Sequence, residues 1–435
     1  MDRCLDWEAT SQWDNMRRII ARSYDDMPQH YLKSCFLYMT SFPEDLVTSA
    51  DTLTRSWIAE GFVPHRNNQT MEETAFGCLE ELAQRSMVHV HSRDKIRGCI
   101  SGVQMHDVVR EWAIQQARKE GFLKMCKNQD DVSDGIFAYR FSLLEFFDDR
   151  ICISAPNVRS MLGFGLPSVT LGTLRFLRTL YMSDSNLEKI SKVIGRLIHL
   201  RFIGLKWCKS VVLPSSTGQL LNLQSIDLTG TDIPCVPKSL WDIPTLRHVV
   251  IPKVETNVPT TVGVDEQSEL QTLCIHRVGH KSLMRTQSMG CLRLIRSLMH
   301  MPLLRTLALS THFLPVDVLT CLPNHRHLDY LSLLLWESTT TFPDSTLLPQ
   351  NLRHLFLGFH GTWNSWHADL LPTLGRLQSL GILVMMVAYR HDDADDDTGL
   401  ILQRSQSAGV PTYEYEAPIM SSPAGAFPRL RSLSL

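Results

Sequence analysis

The stretch from Leu177 to Ile251 repeats one short pattern four times. The copies read LRTLYM from Leu177, LRFIGL from Leu200, LQSIDL from Leu223 and LRHVVI from Leu246, so each begins 23 residues after the one before. Self-similarity at a fixed period of this size is typical of stacked repeats, in which each unit contacts only its neighbours. The stretch therefore predicts a repeat array as the main structure of the chain.

Each copy has the alternation of a short β-strand. In LQSIDL, Ile226 and Leu228 are two residues apart and therefore share one face of the strand. Ser225 and Asp227 then point to the other face. One copy cannot bury its apolar face alone, so neighbouring copies must stack into a curved parallel sheet. The L-x-x-L-x-L core at this period is the pattern of leucine-rich repeats.

Copies with looser spacing precede and follow this stretch. One interval, from Leu270 to Leu304, is 34 residues long and predicts an inserted helix over 283–299. After each strand, a small residue is expected to lie in a tight turn where a larger side chain would not fit. Clear copies begin at Leu270, Leu304, Leu328 and Leu352, weaker ones at Val158, Leu380 and Leu430, and the small turn residues are Ser185, Cys208 and Thr231.

Composition and charge are ordinary for a globular protein. The 435 residues allow roughly two or three domains, and the net charge of -2 gives no overall field that favours nucleic acid or membranes. The 11 cysteines include no C-x-x-C pair, so they predict reduced, mostly buried thiols in a cytosolic protein. The many charges near the start of the chain predict no signal peptide, and no apolar run reaches membrane-spanning length.

The residues before the repeats predict a small helical domain with a hairpin. Apolar periodicity predicts helices at about 31–39, 51–60, 71–85 and 105–117, and alternation predicts strands at 87–91 and 99–103. The second helix is expected to begin at Ser49 or Asp51 and to end at Gly61. Three helices followed by a hairpin is the element order of a winged helix. An earlier amphipathic helix is predicted within residues 1–27, with Trp7, Trp13, Met16, Ile19 and Ile20 on its apolar side.

Two segments of this domain carry a specific resemblance. CFLYMTSFPED (Cys35–Asp45), followed by WIAEGFV (Trp57–Val63), resembles the winged-helix subdomain of plant disease resistance proteins of the coiled-coil NB-ARC leucine-rich-repeat family. The tripeptide Met105-His106-Asp107 resembles the motif that closes this subdomain, and SYDDMPQHYLK (Ser23–Lys33) resembles the segment before it. In that family the histidine contacts an ADP phosphate and the aspartate steadies the turn. The resemblance implies these roles for His106 and Asp107.

The resemblance does not extend to the nucleotide-binding core of the family. The phosphate-binding loop, G-x-x-x-x-G-K-[ST], does not occur in the sequence. We therefore expect a C-terminal portion of such a receptor, which holds ADP or ATP only in the complete architecture and binds no cofactor alone. The alternative interpretation is that Asp107 only caps its helix and that His106 is half-exposed, with no nucleotide role.

The strand face opposite the repeat core is the predicted ligand-binding surface. Aromatic and histidine side chains exposed on a rigid sheet are typical of protein-binding sites, although each residue could also pack only against its neighbours. Arginines that follow the first leucine of several copies either form a basic edge for an acidic partner or are solvated strand ends. The predicted ligand-binding residues are Tyr181, Phe202, Asp227, His248, Tyr330, His354 and Phe356, and the arginines are Arg178, Arg201, Arg247, Arg305 and Arg353.

No catalytic or metal-binding site is predicted. The hydrolase motif G-x-S-x-G and the metalloprotease motif H-E-x-x-H do not occur, so we expect no enzyme activity. The acidic run from His391 to Asp397 lacks the glycine and the final glutamate of a calcium loop, and predicts only an acidic loop near 391–411. The third helix of the winged helix is acidic on its outer side, which argues against DNA binding.

Together these patterns predict an α+β chain in four parts. Residues 1–27 are interpreted as a remnant of a preceding helical subdomain, 28–120 as the winged helix, 121–156 as a linker and 157–435 as the leucine-rich-repeat solenoid. The function implied by the resemblance is immune sensing in the cytoplasm, with a nuclear fraction or a peripheral place at the plasma membrane left open. The repeats are expected to bind a pathogen effector or a guarded host protein, while the winged helix regulates an NB-ARC nucleotide switch by intramolecular contact. The alternatives are a substrate adaptor and a non-signalling decoy, and neither nucleic acid nor a membrane span is expected.

Overall fold

The computed structural model has two compact units, which are described separately. The first comprises Met1–Val193, His199–Cys208 and Gln406–Ala408, and the second Ile194–Ile198, Lys209–Ser405 and Gly409–Leu435. The helix predicted at 283–299 and the acidic loop near 391–411 lie outside the described residues. The structure describes residues 2–94, 98–127, 130–131, 139–144, 151–153, 155–171, 174–187, 194–209, 211–231, 233, 236–252, 269–278, 301–311, 322–335, 348–360, 374–388, 429 and 432–434.

The first unit begins with a long helix, which precedes the winged helix. The helices predicted from the apolar periodicity and the hairpin predicted from the alternation are all confirmed, with ends that differ by a few residues. The three strands form an antiparallel sheet in the order β1–β3–β2. The elements are α1 (Asp2–Asp25), α2 (His30–Tyr38), β1 (Thr48–Ser49), α3 (Ala50–Glu60), α4 (Met71–Gln84), β2 (His89–Arg93), β3 (Ile100–Gln104) and α5 (Asp107–Lys119).

Local signals fix the helix ends. At the start of α4, the Glu73 amide donates to the Thr70 hydroxyl at 3.1 Å, and the Thr70 amide donates to the Glu73 carboxylate at 2.9 Å. This reciprocal capping box satisfies two amide groups that the helix itself leaves without partners. At the end of α3, Gly61 adopts a left-handed conformation with φ 83°. Glycine takes this conformation without steric cost, so the predicted stop at Gly61 is confirmed.

Helix α1 packs against the winged helix through its last turns. The ring of Tyr24 meets the indole of Trp112 in α5 edge-on, with the ring centres 5.3 Å apart. Ile20 is buried, as predicted, but Met16 and Ile19 are 40% and 66% exposed. The apolar stripe of this helix is therefore narrower than the periodicity predicted.

Among the described residues of the first unit, seven strands follow the winged helix. Five of them pair in parallel in the order β4–β5–β7–β9–β10, and β6 pairs in parallel with β8 in a separate sheet. The linker predicted at 121–156 is therefore wrong, because this stretch contributes three strands. Those three strands have only partial copies of the leucine pattern. The seven strands are β4 (Lys124–Cys126), β5 (Arg140–Leu143), β6 (Ile151–Ile153), β7 (Ser160–Phe164), β8 (Val169–Leu171), β9 (Thr179–Ser183) and β10 (Phe202–Lys206).

In its described residues, the second unit is a parallel sheet of eight strands, each paired with the next. In the copies from Leu223 to Leu380, the apolar residue three positions after the first leucine, such as Leu307 or Leu331, is fully buried. The predicted repeat strands are confirmed, including those of the weaker copies at Leu380 and Leu430. The strands are β11 (Ser225–Asp227), β12 (His248–Ile251), β13 (Thr272–Val278), β14 (Thr306–Thr311), β15 (Tyr330–Leu335), β16 (His354–His360), β17 (Ile382–Ala388) and β18 (Ser432–Ser434).

Small residues after the strands connect neighbouring repeats. The Ser185 hydroxyl donates to the carbonyl of Ser183 at 2.8 Å and accepts from the amide of Leu166 at 3.0 Å. The Cys208 thiol lies 3.4 Å from the carbonyl of Met182. Both side chains are buried, so they satisfy backbone groups that water does not reach. The prediction of a tight turn at these positions is confirmed.

Two glycines of the winged helix provide a matched test of this backbone description. We predict that Gly61→Ala lowers the free energy of unfolding by roughly 1 kcal/mol, because an L residue is strained at the positive φ of Gly61. Gly77→Ala is predicted to raise it by about 0.5–1 kcal/mol, because Gly77 is exposed within α4 and an added Cβ meets no atom within 4 Å. Urea denaturation measures the change in the free energy of unfolding that each variant causes. Changes of the same sign in both variants would contradict the assignment of the helix end at Gly61.

Candidate interaction surface of the repeats

The winged helix covers the outward face of the first repeat strands. Tyr181 in β9 and Phe202 in β10 are buried in the same apolar core as α2 and α3. The ring of Phe42, just after α2, lies 5.7 Å from the ring of Tyr181 and 5.9 Å from the ring of Phe164 in β7. The predicted exposure of Tyr181 and Phe202 is therefore wrong, because aromatic side chains of the winged helix pack on them. Their role in ligand binding stays a prediction.

Buried hydrogen bonds join the same two parts. The hydroxyl groups of Tyr38 in α2 and Ser160 in β7 are 2.8 Å apart. The Ser142 hydroxyl in β5 donates to the carbonyl of Ser41 at 2.6 Å. All four residues are buried, and a buried hydroxyl without a partner would lose its hydrogen bonds to water. These bonds therefore define the position of the winged helix on the strands.

A buried ion pair lies at the centre of this contact. The Glu60 carboxylate, at the end of α3, is fully buried and accepts from the Arg140 guanidinium of β5 at 2.7 Å. The guanidinium also lies 4.3 Å from the ring centre of Phe122 and 4.9 Å from that of Phe62. Arg178 donates to the backbone carbonyl of Glu60 at 3.2 Å. The charge of Glu60 is thus balanced by a cation that is itself held between two aromatic rings.

This pair can be tested by removing the cation. We predict that Arg140→Ala lowers the free energy of unfolding by about 3–5 kcal/mol, because it leaves the buried Glu60 carboxylate without its partner. The double variant Glu60→Gln/Arg140→Ala should recover part of that loss, because no buried charge remains. The matched control is Arg175→Ala, which removes an exposed guanidinium from the same unit. Chemical denaturation of the chain measures all three, and a loss for Arg140→Ala no larger than for the control would contradict this assignment.

Two predicted ligand-binding residues of the second unit are also buried. The Asp227 carboxylate accepts from the backbone amide of Thr229 at 3.1 Å, a local turn that short acidic side chains favour. Nδ1 of His248 lies 3.0 Å from the hydroxyl of Thr272 on the next strand. Asp227 and His248 are only 4% and 5% exposed, so their predicted exposure is wrong. The Asp227 carboxylate thus bonds in the turn after its strand, and the His248 ring contacts the neighbouring strand.

The other three predicted residues of the second unit lie together and are partly exposed. Tyr330 in β15 pairs across the strands with His354 in β16, and their ring centres are 6.4 Å apart. Phe356 follows two residues after His354 and therefore lies on the same face. We call these three residues the Tyr330 cluster. Partly exposed rings on a rigid sheet, two of them with polar atoms, have the properties of residues that dominate protein interfaces.

The MHD-like tripeptide lies at the start of α5. His106 is the N-cap residue of this helix but makes no side-chain capping bond, and Asp107 is the first helical residue. Both side chains are exposed. The alternative prediction that Asp107 caps the helix is therefore wrong. Two exposed side chains, in a chain without a phosphate-binding loop, do not fit ADP by themselves.

Two further properties concern metals and membranes. In the described parts of the chain, no three His, Cys, Asp or Glu side chains form a group that could hold a metal ion. Among those same residues, no helix combines the length and the apolar character needed to cross a lipid bilayer.

Comparison with known proteins assigns both parts of the chain. The family model of the disease resistance protein winged helix domain matches residues 42–113, and that of the leucine-rich repeat region matches residues 157–393. The chain belongs to the leucine-rich-repeat disease resistance proteins of plants. A leucine-rich-repeat fold favours interaction with other proteins.

Two relatives of this chain come from Arabidopsis thaliana. The disease resistance RPP8-like protein 2 is 30% identical over 382 residues, which cover 79% of this chain and 41% of that protein. The disease resistance RPP13-like protein 3 is 31% identical over 243 residues, which cover 52% of this chain and 28% of that protein. The chain thus spans less than half the length of these relatives. A leucine-rich-repeat protein of Leptospira interrogans is 14% identical, with a TM-score of 0.34, over 64% of this chain and 78% of that one.

The residues that join the winged helix to the repeats carry no recognisable signal in the sequence. Glu60 lies one residue before the helix-ending Gly61, and Arg140 lies in the stretch interpreted as a linker. A glutamate at the end of a helix is ordinarily solvated, so its type alone gives no sign of burial. The long distance between the two positions in the sequence leaves no local signal that could pair them.

Proposed function

We propose that this chain is the recognition and regulatory part of a plant immune receptor that acts in the cytoplasm. In this proposal the Tyr330 cluster binds a protein ligand, which is a pathogen effector or a guarded host protein. The winged helix and the first repeats then transmit binding to the NB-ARC nucleotide switch of the complete receptor. The observation that carries the proposal is that the winged helix shares one buried core with repeat strands.

Recognition is supported by the position of the Tyr330 cluster. Its three rings lie on adjacent, hydrogen-bonded strands, so little conformational entropy is lost when a ligand contacts them. Tyr330 and His354 each combine an apolar ring with a polar atom, a combination that suits a protein surface of mixed polarity. The cluster therefore has the rigidity and the chemistry of an interface centre.

Regulation is supported by the contact between the winged helix and β5, β7, β9 and β10. The aromatic contacts of Phe42, the Tyr38–Ser160 bond and the Glu60–Arg140 pair join the two parts within one buried core. Closely packed interiors transmit displacement because they are not continuously deformable. We therefore propose that the winged helix and the first repeats move as one body when the switch changes state.

A role for His106 in the nucleotide switch is part of the same proposal. Its imidazole is exposed at the start of α5, where a neighbouring domain could bring a phosphate against it. The amide groups at a helix start and the ring nitrogens of a histidine both favour a nearby anion. The phosphate-binding loop would be supplied by another part of the complete receptor.

The recognition site is tested by binding measurements with candidate effectors and host proteins. The triple variant Tyr330→Ala/His354→Ala/Phe356→Ala removes the whole cluster, and Arg326→Ala/His327→Ala alters exposed residues on the turn before β15. We predict that any partner of the unmodified chain binds the triple variant at least about 30-fold more weakly, because central interface residues each contribute roughly 2 kcal/mol or more. The control variant should bind within about twofold of the unmodified chain.

Two outcomes would distinguish this proposal from recognition at another site and from a non-signalling decoy. Partners that bind the triple variant as tightly as the unmodified chain would place recognition elsewhere and contradict the proposal. Partners that depend on the cluster, but cause no cell death when expressed with the complete receptor in leaf tissue, would identify a decoy rather than a signalling receptor. Circular dichroism of each variant checks that it is folded.

A further inference from the structure

One buried histidine of the second unit occupies a position that leucine fills in earlier repeats. His325 lies three residues before the first leucine of its copy, and the equivalent residues of three earlier copies are Leu174, Leu197 and Leu220. These three leucines and His325 are all at most 2% exposed. The imidazole of His325 therefore lies in a buried layer where those three copies have a leucine.

The surroundings of His325 favour the neutral form of its imidazole. Its Nδ1 donates to the carbonyl of Met301 at 3.2 Å, and its buried Nε2 has no hydrogen-bond partner in the described part of the chain. Burial lowers the pKa of His325, and the bond to the Met301 carbonyl opposes this effect without cancelling it. A proton on Nε2 would bring a positive charge without a partner into an apolar layer, which is costly.

Charged neighbours do not explain the lowered pKa. Within the described residues, burial lowers the pKa of His325 and the Met301 carbonyl raises it, and no charged side chain contributes. On the turn that contains His325, the adjacent Arg326 and His327 are exposed. The charged residues at the starts of the neighbouring strands β14, β15 and β16 are Arg305, Asp329 and Arg353.

We propose that His325 makes this repeat sensitive to acid, so that the segment 322–329 opens more readily as the pH falls below about 6.5. The segment contains a short helical turn, Leu322–Asn324, and leads directly into β15. The inference goes beyond the proposed function and does not depend on it. If the Tyr330 cluster does bind a ligand, acid would weaken that site through the repeat that carries Tyr330.

Acid favours opening because His325 takes up a proton more readily in the open segment than in the closed one. In the open segment His325 takes a proton near its ordinary pKa of about 6.5, whereas the closed segment resists protonation. His325 therefore contributes its full stabilisation of the closed segment above about pH 6.5. This stabilising free energy is lost as the pH falls toward the lower pKa that His325 has in the closed state. Within that window the population of the open segment rises by up to roughly tenfold per pH unit.

Hydrogen exchange measured by mass spectrometry on the complete chain tests this inference. Exchange of amides in 322–335 is compared between the unmodified chain and His325→Leu at pH 7.5 and again at pH 5.5. Comparison at the same pH cancels the intrinsic dependence of exchange on pH. We expect the ratio of exchange rates, unmodified over variant, to be up to roughly tenfold larger at pH 5.5 than at pH 7.5.

Two further variants keep the test decisive. His327→Leu changes an exposed histidine on the same turn and should keep the acid response of the unmodified chain. In His325→Met the new side chain is uncharged and flexible, so it can fill the site even if leucine does not fit. This variant should therefore lose the acid dependence of exchange. An equal acid response in the unmodified chain, His325→Leu and His325→Met would overturn the proposal, as would loss of the response in His327→Leu alone.

Discussion

The first unit depends on one constraint, which is that the buried carboxylate of Glu60 needs a cation beside it. Glu60 ends α3 inside the protein, and its charge is tolerated because the Arg140 guanidinium of β5 approaches it to 2.7 Å. A buried ion pair of this kind adds little to stability compared with apolar packing, but it is sensitive to geometry. The winged helix can therefore dock on these strands only in the position that brings the two charges together. The ring of Phe42 and the hydroxyl of Tyr38 make contacts that require the same position.

The repeats use one strand pattern for different purposes. In both units the second apolar residue of a copy is buried in the repeat core, as for Leu180 and Leu331. The residues of the opposite face differ. In the first unit, Tyr181 and Phe202 on that face belong to a core shared with the winged helix, whereas in the second unit Tyr330 and its neighbours remain partly exposed. The same backbone thus provides a docking face for the chain itself and a candidate surface for a partner.

The sequence predicted the architecture because each element has a strong local signal. The 23-residue period, the apolar spacing of the helices and the stop at Gly61 each arise from interactions within one element or between adjacent repeats. Periodicity also identified the face on which Tyr181 and Phe202 lie, but it could not show what covers them. That depends on contacts between residues far apart in the chain, such as Phe42 with Tyr181. The burial of Asp227 and His248 was missed for another reason, since it arises from hydrogen bonds that residue type alone does not reveal.

A double-mutant cycle between Phe42 and Tyr181 tests most directly whether the winged helix and the first repeats form one core. The free energy of unfolding is measured for the unmodified chain, Phe42→Leu, Tyr181→Leu and the double variant. Because the rings are 5.7 Å apart, we predict a coupling energy of about 0.5–1.5 kcal/mol. Single-variant effects that add without coupling would show that the two rings do not meet, and would contradict the shared core.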